Sequence, residues 1–133
     1  NRDEDCDINF TSWINEIDVA NAGLDIIALT SLNEGTPVSL IEAQASSKPV
    51  VCTNVGGVAD VVRKNKTALV CDHPENEDFK RLLLACVNDI KLRNRLSKRG
   101  FSYVSKKFSK QRLISDISKL YLNIYEKKIN KSK

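Results

Sequence analysis

Three features of this 133-residue sequence predict an α/β fold, in which a doubly wound parallel sheet is followed by C-terminal helices. Short apolar runs alternate with short amphipathic segments over about residues 8–72, which is the order of strands and helices in a parallel sheet. From about residue 75 to residue 128, apolar side chains recur only at helical spacing. The composition, 41% hydrophobic and 29% charged, is typical of a globular domain and excludes a disordered or collagen-like chain.

The first part of the chain is expected to form a strand, a loop, a helix and a second strand. Apolar and polar residues alternate at residues 8–10, as in a short strand, and residues 11–13 are expected to form a loop. A helix is predicted over residues 16–22, ending near Gly23. The run at residues 25–30 is almost entirely apolar, which predicts a strand buried on both faces.

The middle of the chain repeats this alternation of helix and strand. Residues 37–46 and 58–63 have the pattern of helices. Residues 49–53 predict a second fully buried strand. Residues 67–71 predict a further strand. A turn is expected at residues 55–57, where two glycines are adjacent.

The last third is expected to be entirely helical. Apolar residues fall at helical spacing over residues 79–87 and 92–108. Ser109 is the expected N-cap of a final helix. One stripe of that helix contains Leu113, Ile117, Leu120, Tyr121 and Ile124.

Charge is distributed unevenly, although the net charge is only +4. Residues 1–79 contain 5 Lys or Arg and 14 Asp or Glu, whereas residues 80–133 contain 16 and 3. The basic half indicates either solvated faces of amphipathic helices or a non-catalytic module that binds an anionic membrane or nucleic acid. Of these two ligands, nucleic acid is not the expected one, because no nucleic-acid motif is present and few aromatic residues interleave with the charges. The candidate basic patch consists of Lys91, Arg93, Arg95, Lys98, Arg99, Lys106, Lys107, Lys110 and Arg112.

No metal site is expected, since the four cysteines lack CxxC spacing and the chain has a single histidine. The four cysteines, Cys6, Cys52, Cys71 and Cys86, are expected to be free thiols in a reducing cytosol rather than disulfides. Cys52, Cys71 and Cys86 lie in apolar patterns and are expected to be buried. His73 is expected in a surface loop.

A cytoplasmic location is predicted, because no run approaches the roughly 18 apolar residues of a membrane span and no signal peptide opens the chain. A peripheral contact at the inner face of the membrane is the added expectation from the basic helices. The sequence contains no Met, so a processed product or an excised fragment is expected.

The helix predicted from residue 37 begins with the pattern of an anion site. Gly35 is expected to adopt a positive φ, Thr36 to cap the helix and Pro37 to occupy its first position. The next two N–H groups, on Val38 and Ser39, lack intrahelical acceptors. Together with the positive end of the helix dipole, these donors favour a phosphate group.

Two carboxylates accompany this helix N-terminus. Glu34 lies in the preceding loop, where the crevice of a parallel sheet is expected, and Glu42 lies inside the helix. A carboxylate accepts two hydrogen bonds from vicinal hydroxyls, so a sugar or a ribose is a suitable ligand. Alternatively, Glu34 is a turn residue and Glu42 is a solvated helix residue.

Residues 25–45 resemble the signature of the retaining glycosyltransferases of the GT4 family (group 1), in which two glutamates are separated by seven residues. Here those glutamates are Glu34 and Glu42. Residues 48–62 are similar to the family's next strand and Gly-Gly turn, and residues 67–70 occupy the position of a further strand. The resemblance covers about residues 8–125.

This resemblance implies a GT-B enzyme, which has two Rossmann-like domains with the active site between them. The chain would be part of the C-terminal, donor-binding domain. The donor would be a nucleotide-diphosphate sugar, with no required metal or other cofactor. The family's diphosphate clamp and N-terminal acceptor domain lie upstream of the matched region, so this chain alone is expected to be inactive. An unrelated doubly wound nucleotide-binding domain is the competing interpretation.

The resemblance also implies roles for individual residues. Glu42 would hold the ribose hydroxyls, and Glu34, the residue assigned to catalysis, would contact the donor sugar. Trp13 would either stack on the base or lie half-buried in the core. The backbone N–H groups that face the sugar and diphosphate would come from Gly35, Thr36, Val38 and Ser39.

Overall fold

Helices and strands alternate in the first half of the computed structural model, which describes residues 7–73 and 77–131. The elements are α1 (Ile17–Gly23), β1 (Ile27–Leu29), α2 (Val38–Ala45), β2 (Val50–Thr53), α3 (Val58–Val61), β3 (Leu69–Cys71), α4 (Asp78–Asn88), α5 (Ile90–Lys107) and α6 (Lys110–Lys131). The predicted order of strands and helices is confirmed from α1 onward.

The three strands form one parallel sheet in the order β1-β2-β3. Ala28 pairs with Val51, and Val51 pairs with Leu69, so β2 is the central strand. Each crossover contains a helix, α2 between β1 and β2 and α3 between β2 and β3. A parallel pair requires such a crossover, and the alternation in the sequence therefore predicted the topology.

Helices cover both faces of the sheet. On one face, Val50 and Cys52 of β2 pack with residues of α2, α3 and β3 in the larger buried cluster. On the other face, Val51 packs with Cys86 of α4 and Leu96 of α5. All four residues of β2 are buried, which confirms the prediction of a fully buried strand and agrees with the doubly wound α/β fold.

Two expectations for the first strands are wrong. Residues 8–10 form no strand, and Phe10 is 94% exposed. β1 is not buried on both faces, since Ala28 is exposed and its neighbours are only half-buried. The reason is its place in the sheet: within the described residues, β1 lies at an edge and pairs with β2 alone.

Three of the cysteines are buried and free, as predicted, whereas Cys6 lies outside the described residues. Cys52 is opposite Val70 in the register and Cys71 is opposite Thr53. The two thiols therefore point to opposite faces of the sheet. Burial, together with the nearby Cys71, raises the pKa of the Cys52 thiol to about 12. The thiol therefore stays protonated and inert at neutral pH.

Helix α5 is attached to the sheet layer through two groups of contacts. Gly100 lies against the buried side chain of Gln44, whose amide nitrogen donates to the carbonyls of Leu40 and Val61, both at 2.9 Å. Near the end of α5, the Lys107 ammonium donates to the Asp60 carbonyl at 2.6 Å. The packing of Gly100 on Gln44 thus joins α5 to α2, and the Lys107 hydrogen bond joins α5 to α3.

The final helix, α6, begins as predicted. The Ser109 hydroxyl accepts a hydrogen bond from the Arg112 N–H at 3.2 Å, as expected of an N-cap. The side chains described on α6 are exposed, including the stripe of Leu, Ile and Tyr residues. None of the helices in the described part of the chain has both the length and the hydropathy that a bilayer crossing requires.

Candidate functional site

The carboxyl ends of β1 and β2 lie at the same edge of the sheet, because the strands are parallel and adjacent. The loop after β1 contains Glu34 and Gly35, and the loop after β2 contains Gly56 and Gly57. The Gly57 N–H donates to the Glu34 carbonyl at 3.2 Å. The two loops therefore meet at this edge, where ligands of open α/β sheets bind.

The two loops approach so closely that only glycine fits in the second one. A Cβ atom on Gly56 would lie 1.8 Å from the Glu34 carbonyl oxygen. A Cβ atom on Gly57 would lie 2.0 Å from the Gly35 carbonyl oxygen. Both obstacles are backbone atoms and cannot rotate away. The Gly-Gly turn thus fixes the position of the Glu34–Gly35 backbone.

Glu34 is half-buried, and its side chain is held as well as its backbone. The Ser31 hydroxyl donates to the Glu34 carboxylate at 2.6 Å. In turn, the Thr53 hydroxyl donates to the Ser31 carbonyl at 2.7 Å. Glu34 is therefore a fixed group rather than a solvated turn residue.

The start of α2 differs in two details from the sequence-based expectation. Pro37, not Thr36, is the N-cap, and no side chain caps the helix. Gly35 does not have a positive φ; the glycine that does is Gly56, at 48°. The first helical residue is Val38, which is exposed. Its N–H group and that of Ser39 belong to the first turn, where the helix provides no acceptor.

Glu42 lines an open cavity of about 770 Å³ beside the segment before α1. Trp13 lies in the same lining and is 98% exposed, so the expectation of a half-buried core tryptophan is wrong. Glu34 is not part of this lining. The structure thus groups Glu42 with an exposed indole and places Glu34 in the loop at the carboxyl end of β1. The remaining lining residues are Thr11, Ser12, Ile14, Asn15 and Ile17.

A second polar cluster lies at the carboxyl end of β3. Asp72 accepts hydrogen bonds from the Lys64 ammonium and from the Asn54 amide. These hydrogen bonds, the one from Lys64 first, lower the pKa of the Asp72 carboxyl. His73 is exposed, as predicted. Within the described residues, no three His, Cys, Asp or Glu side chains are grouped as metal ligands would be.

Three side chains of the predicted basic patch form contacts with other groups of the same molecule. Lys107 donates to a backbone carbonyl of α3, and Arg93 donates to the Cys86 carbonyl at 2.9 Å. Arg112 forms an ion pair with Asp116 within α6 at 2.6 Å. The basic helices therefore have structural contacts, in addition to solvated faces.

Residues 5–103 match the family model described as "Glycosyl transferases group 1". The chain belongs to this family. A curated relative, an uncharacterized glycosyltransferase of Methanocaldococcus jannaschii, is 32% identical over 95 residues. That match covers 71% of this chain and 27% of the relative, so the chain spans about a quarter of that protein's length.

Two solved structures share the fold of this chain. The C-terminal domain of a group 1 family protein from Francisella tularensis aligns with a TM-score of 0.64 and 25% identity, over 77% of this chain and 53% of that domain. An Anabaena protein solved in complex with UDP-glucose aligns with a TM-score of 0.66 and 21% identity, over 75% of this chain and 29% of that protein. The glycosyltransferase family and the GT-B fold of its C-terminal domain are thus established for this chain.

Several residues that shape the site in this group 1 chain were not recognised as such in the sequence. Ser31 and Thr53 hold the loop of Glu34 by hydrogen bonds, and the Gly-Gly turn packs against that loop. The sequence offered one signal for these contacts, which is the polar residue Thr53 at the end of an apolar strand. The partners are 22 residues apart in the chain, so their contact depends on the register of the sheet.

Proposed function

We propose that this chain is the donor-binding part of a glycosyltransferase that moves a sugar from a nucleotide-diphosphate sugar to an acceptor, with retention of anomeric configuration. The main support is the cavity whose lining contains both Glu42 and the exposed Trp13. Membership of the group 1 family supports the reaction class. The Anabaena relative's complex with UDP-glucose supports the donor class.

Glu42 and Trp13 would bind the nucleoside. The Glu42 carboxylate can accept hydrogen bonds from both ribose hydroxyls. The Trp13 indole offers an aromatic face on which a base can stack, and its exposure leaves that face available. Both side chains line one cavity, so a single nucleoside could contact them together.

The N-terminus of α2 would bind the diphosphate. Backbone N–H groups of Val38 and Ser39 lie in its first turn, and the helix dipole favours negative charge there. Gly35 and Thr36 would contribute further N–H groups from the preceding loop. The same donors would stabilise the charge that develops on the leaving diphosphate, without a required metal.

Glu34 would contact the hydroxyls of the donor sugar and is the proposed catalytic residue of this chain. Its carboxylate is fixed by Ser31, so it can orient the sugar without a loss of side-chain freedom on binding. The acceptor-binding domain and the remaining cationic groups would come from other parts of a longer enzyme. We therefore infer that this chain alone does not catalyse sugar transfer.

No specific observation favours the alternative of a non-catalytic module that binds anionic membranes. Three of the basic side chains are engaged in contacts within the molecule. A peripheral membrane contact of the complete enzyme stays a prediction.

Retention is tested by the anomer that the complete enzyme releases from UDP-glucose, GDP-mannose or ADP-glucose when no acceptor is present. These donors are α-linked, so a retaining enzyme is expected to release the α-sugar first. Proton NMR recorded before mutarotation identifies the anomer. The matched control is the 133-residue chain, for which no release is expected. Initial release of the β-sugar would contradict retention.

A further inference from the structure

Ser31 occupies a position from which it can control the orientation of Glu34. It lies three residues before Glu34 in the loop after β1, and its hydroxyl donates to Oε1 of the carboxylate at 2.6 Å. A distance of about 2.5–2.7 Å is typical of a hydroxyl that donates to a charged carboxylate. Both groups are partly buried, so water competes less for this bond than at an exposed site.

We propose that Ser31 is a positioning residue that orients the Glu34 carboxylate toward the donor sugar. This inference rests on the proposed function of Glu34 and adds a residue to it. A serine hydroxyl has one proton to donate, and in this structure Glu34 receives it. Among the described residues, no protein donor is recorded for Oε2 of Glu34, which leaves that oxygen for a sugar hydroxyl.

Ser31 is itself fixed to the centre of the sheet. The Thr53 hydroxyl, at the end of β2, donates to the Ser31 carbonyl at 2.7 Å. Thr53 is only 2% exposed and pairs with Cys71 of β3 in the register. Two hydrogen bonds therefore connect the Glu34 carboxylate to the central strand β2, and they fix its orientation.

The backbone of Glu34 is held independently of its side chain. Its carbonyl accepts from the Gly57 N–H at 3.2 Å. Loss of the Ser31 hydroxyl should therefore leave the loop in place and release only the carboxylate. A variant without this hydroxyl should therefore bind the nucleotide sugar more weakly and bind the nucleotide alone as before. If the role of Ser31 were merely structural, binding of the nucleotide would be weakened as well.

Ser31→Ala is expected to weaken binding of the nucleotide sugar by about three- to ten-fold, the size of one hydrogen bond to a charged group that is partly exposed. Binding of the matching nucleoside diphosphate should change by less than about two-fold, because it lacks the sugar. Ser31→Thr keeps the hydroxyl and should restore most of the affinity. Amide NMR titrations of the 133-residue chain with UDP-glucose, GDP-mannose and ADP-glucose, and with UDP, GDP and ADP, measure these constants.

A double-mutant cycle with Glu34→Ala tells whether Ser31 acts through Glu34 or independently of it. If Ser31 acts through Glu34, Ser31→Ala should have no further effect once Glu34→Ala is present. Additive effects of the two changes, or equal losses for nucleotide and nucleotide sugar, would overturn the positioning role while leaving the donor site intact. Failure of the unaltered chain to bind any of the six probes would overturn the proposed function, and the role of Ser31 with it.

Discussion

Replacement of Glu42 by alanine is expected to lower kcat/KM for the nucleotide sugar by at least about 100-fold in the complete enzyme. The proposed role of Glu42 is to accept two hydrogen bonds from the ribose, and each bond to a charged group contributes about 1.5–3 kcal/mol. Since about 1.4 kcal/mol corresponds to a factor of ten, their loss should amount to two orders of magnitude or more. Steady-state kinetics with the donor varied measure the effect.

Two further variants make this result specific. Glu42→Gln keeps an oxygen that can accept one hydrogen bond, so a smaller loss of kcat/KM is expected. Glu126→Ala removes an exposed carboxylate on α6, away from the cavity, and should leave the kinetics unchanged. Thermal unfolding should be similar in all three variants, because the Glu42 carboxylate has no hydrogen-bond partner among the described residues and the Glu126 side chain is exposed. Near-normal kcat/KM in Glu42→Ala would remove the main support for the nucleoside site.

Replacement of Gly57 by alanine is expected to lower the free energy of unfolding by about 3 kcal/mol, the upper part of the range for overpacked positions. The new Cβ atom would lie 2.0 Å from the Gly35 carbonyl oxygen and 3.0 Å from its carbon. Backbone atoms on both sides of the contact prevent relief by a rotamer change. The Glu34–Gly35 loop must therefore shift, and donor binding should be lost even in the molecules that remain folded. Urea unfolding and donor titration measure the two effects.

Gly23→Ala is the matched control, since no atom lies within 4 Å of the Cβ that it would add. It lies at the end of α1, where alanine favours the helix, so the stability should be unchanged or slightly higher. Equal behaviour of Gly57→Ala and Gly23→Ala would contradict the tight contact between the two loops.

The parts of the fold that the sequence predicted correctly are those in which local pattern and burial agree. The run Val50–Thr53 is apolar throughout because β2 is covered on both sides, so its sequence indicates its environment directly. Helix α2 was recognisable because a proline precedes a segment with helical spacing. The spacing of Glu34 and Glu42 indicated a site because it matches a family signature, which composition alone does not contain.

The wrong expectations depend on neighbours that lie far away in the sequence. Residues 8–10 alternate like a strand, but within the described residues they have no strand to pair with. Trp13 is exposed although tryptophan is usually well buried, because the segment around it borders an open cavity. The positive φ occurs at Gly56 rather than Gly35, since it is the second loop that must turn tightly against the first. Local propensity does not encode such contacts between loops.

An amide NMR titration of the 133-residue chain with UDP, GDP and ADP, each with and without its sugar, tests the proposed donor site most directly. We expect saturable shifts at Gly35, Val38, Ser39 and Glu42 and at the Trp13 indole with one of the three nucleotides. A well-dispersed spectrum in which these signals do not move with any nucleotide, or in which only the basic residues of α5 respond, would contradict the donor site.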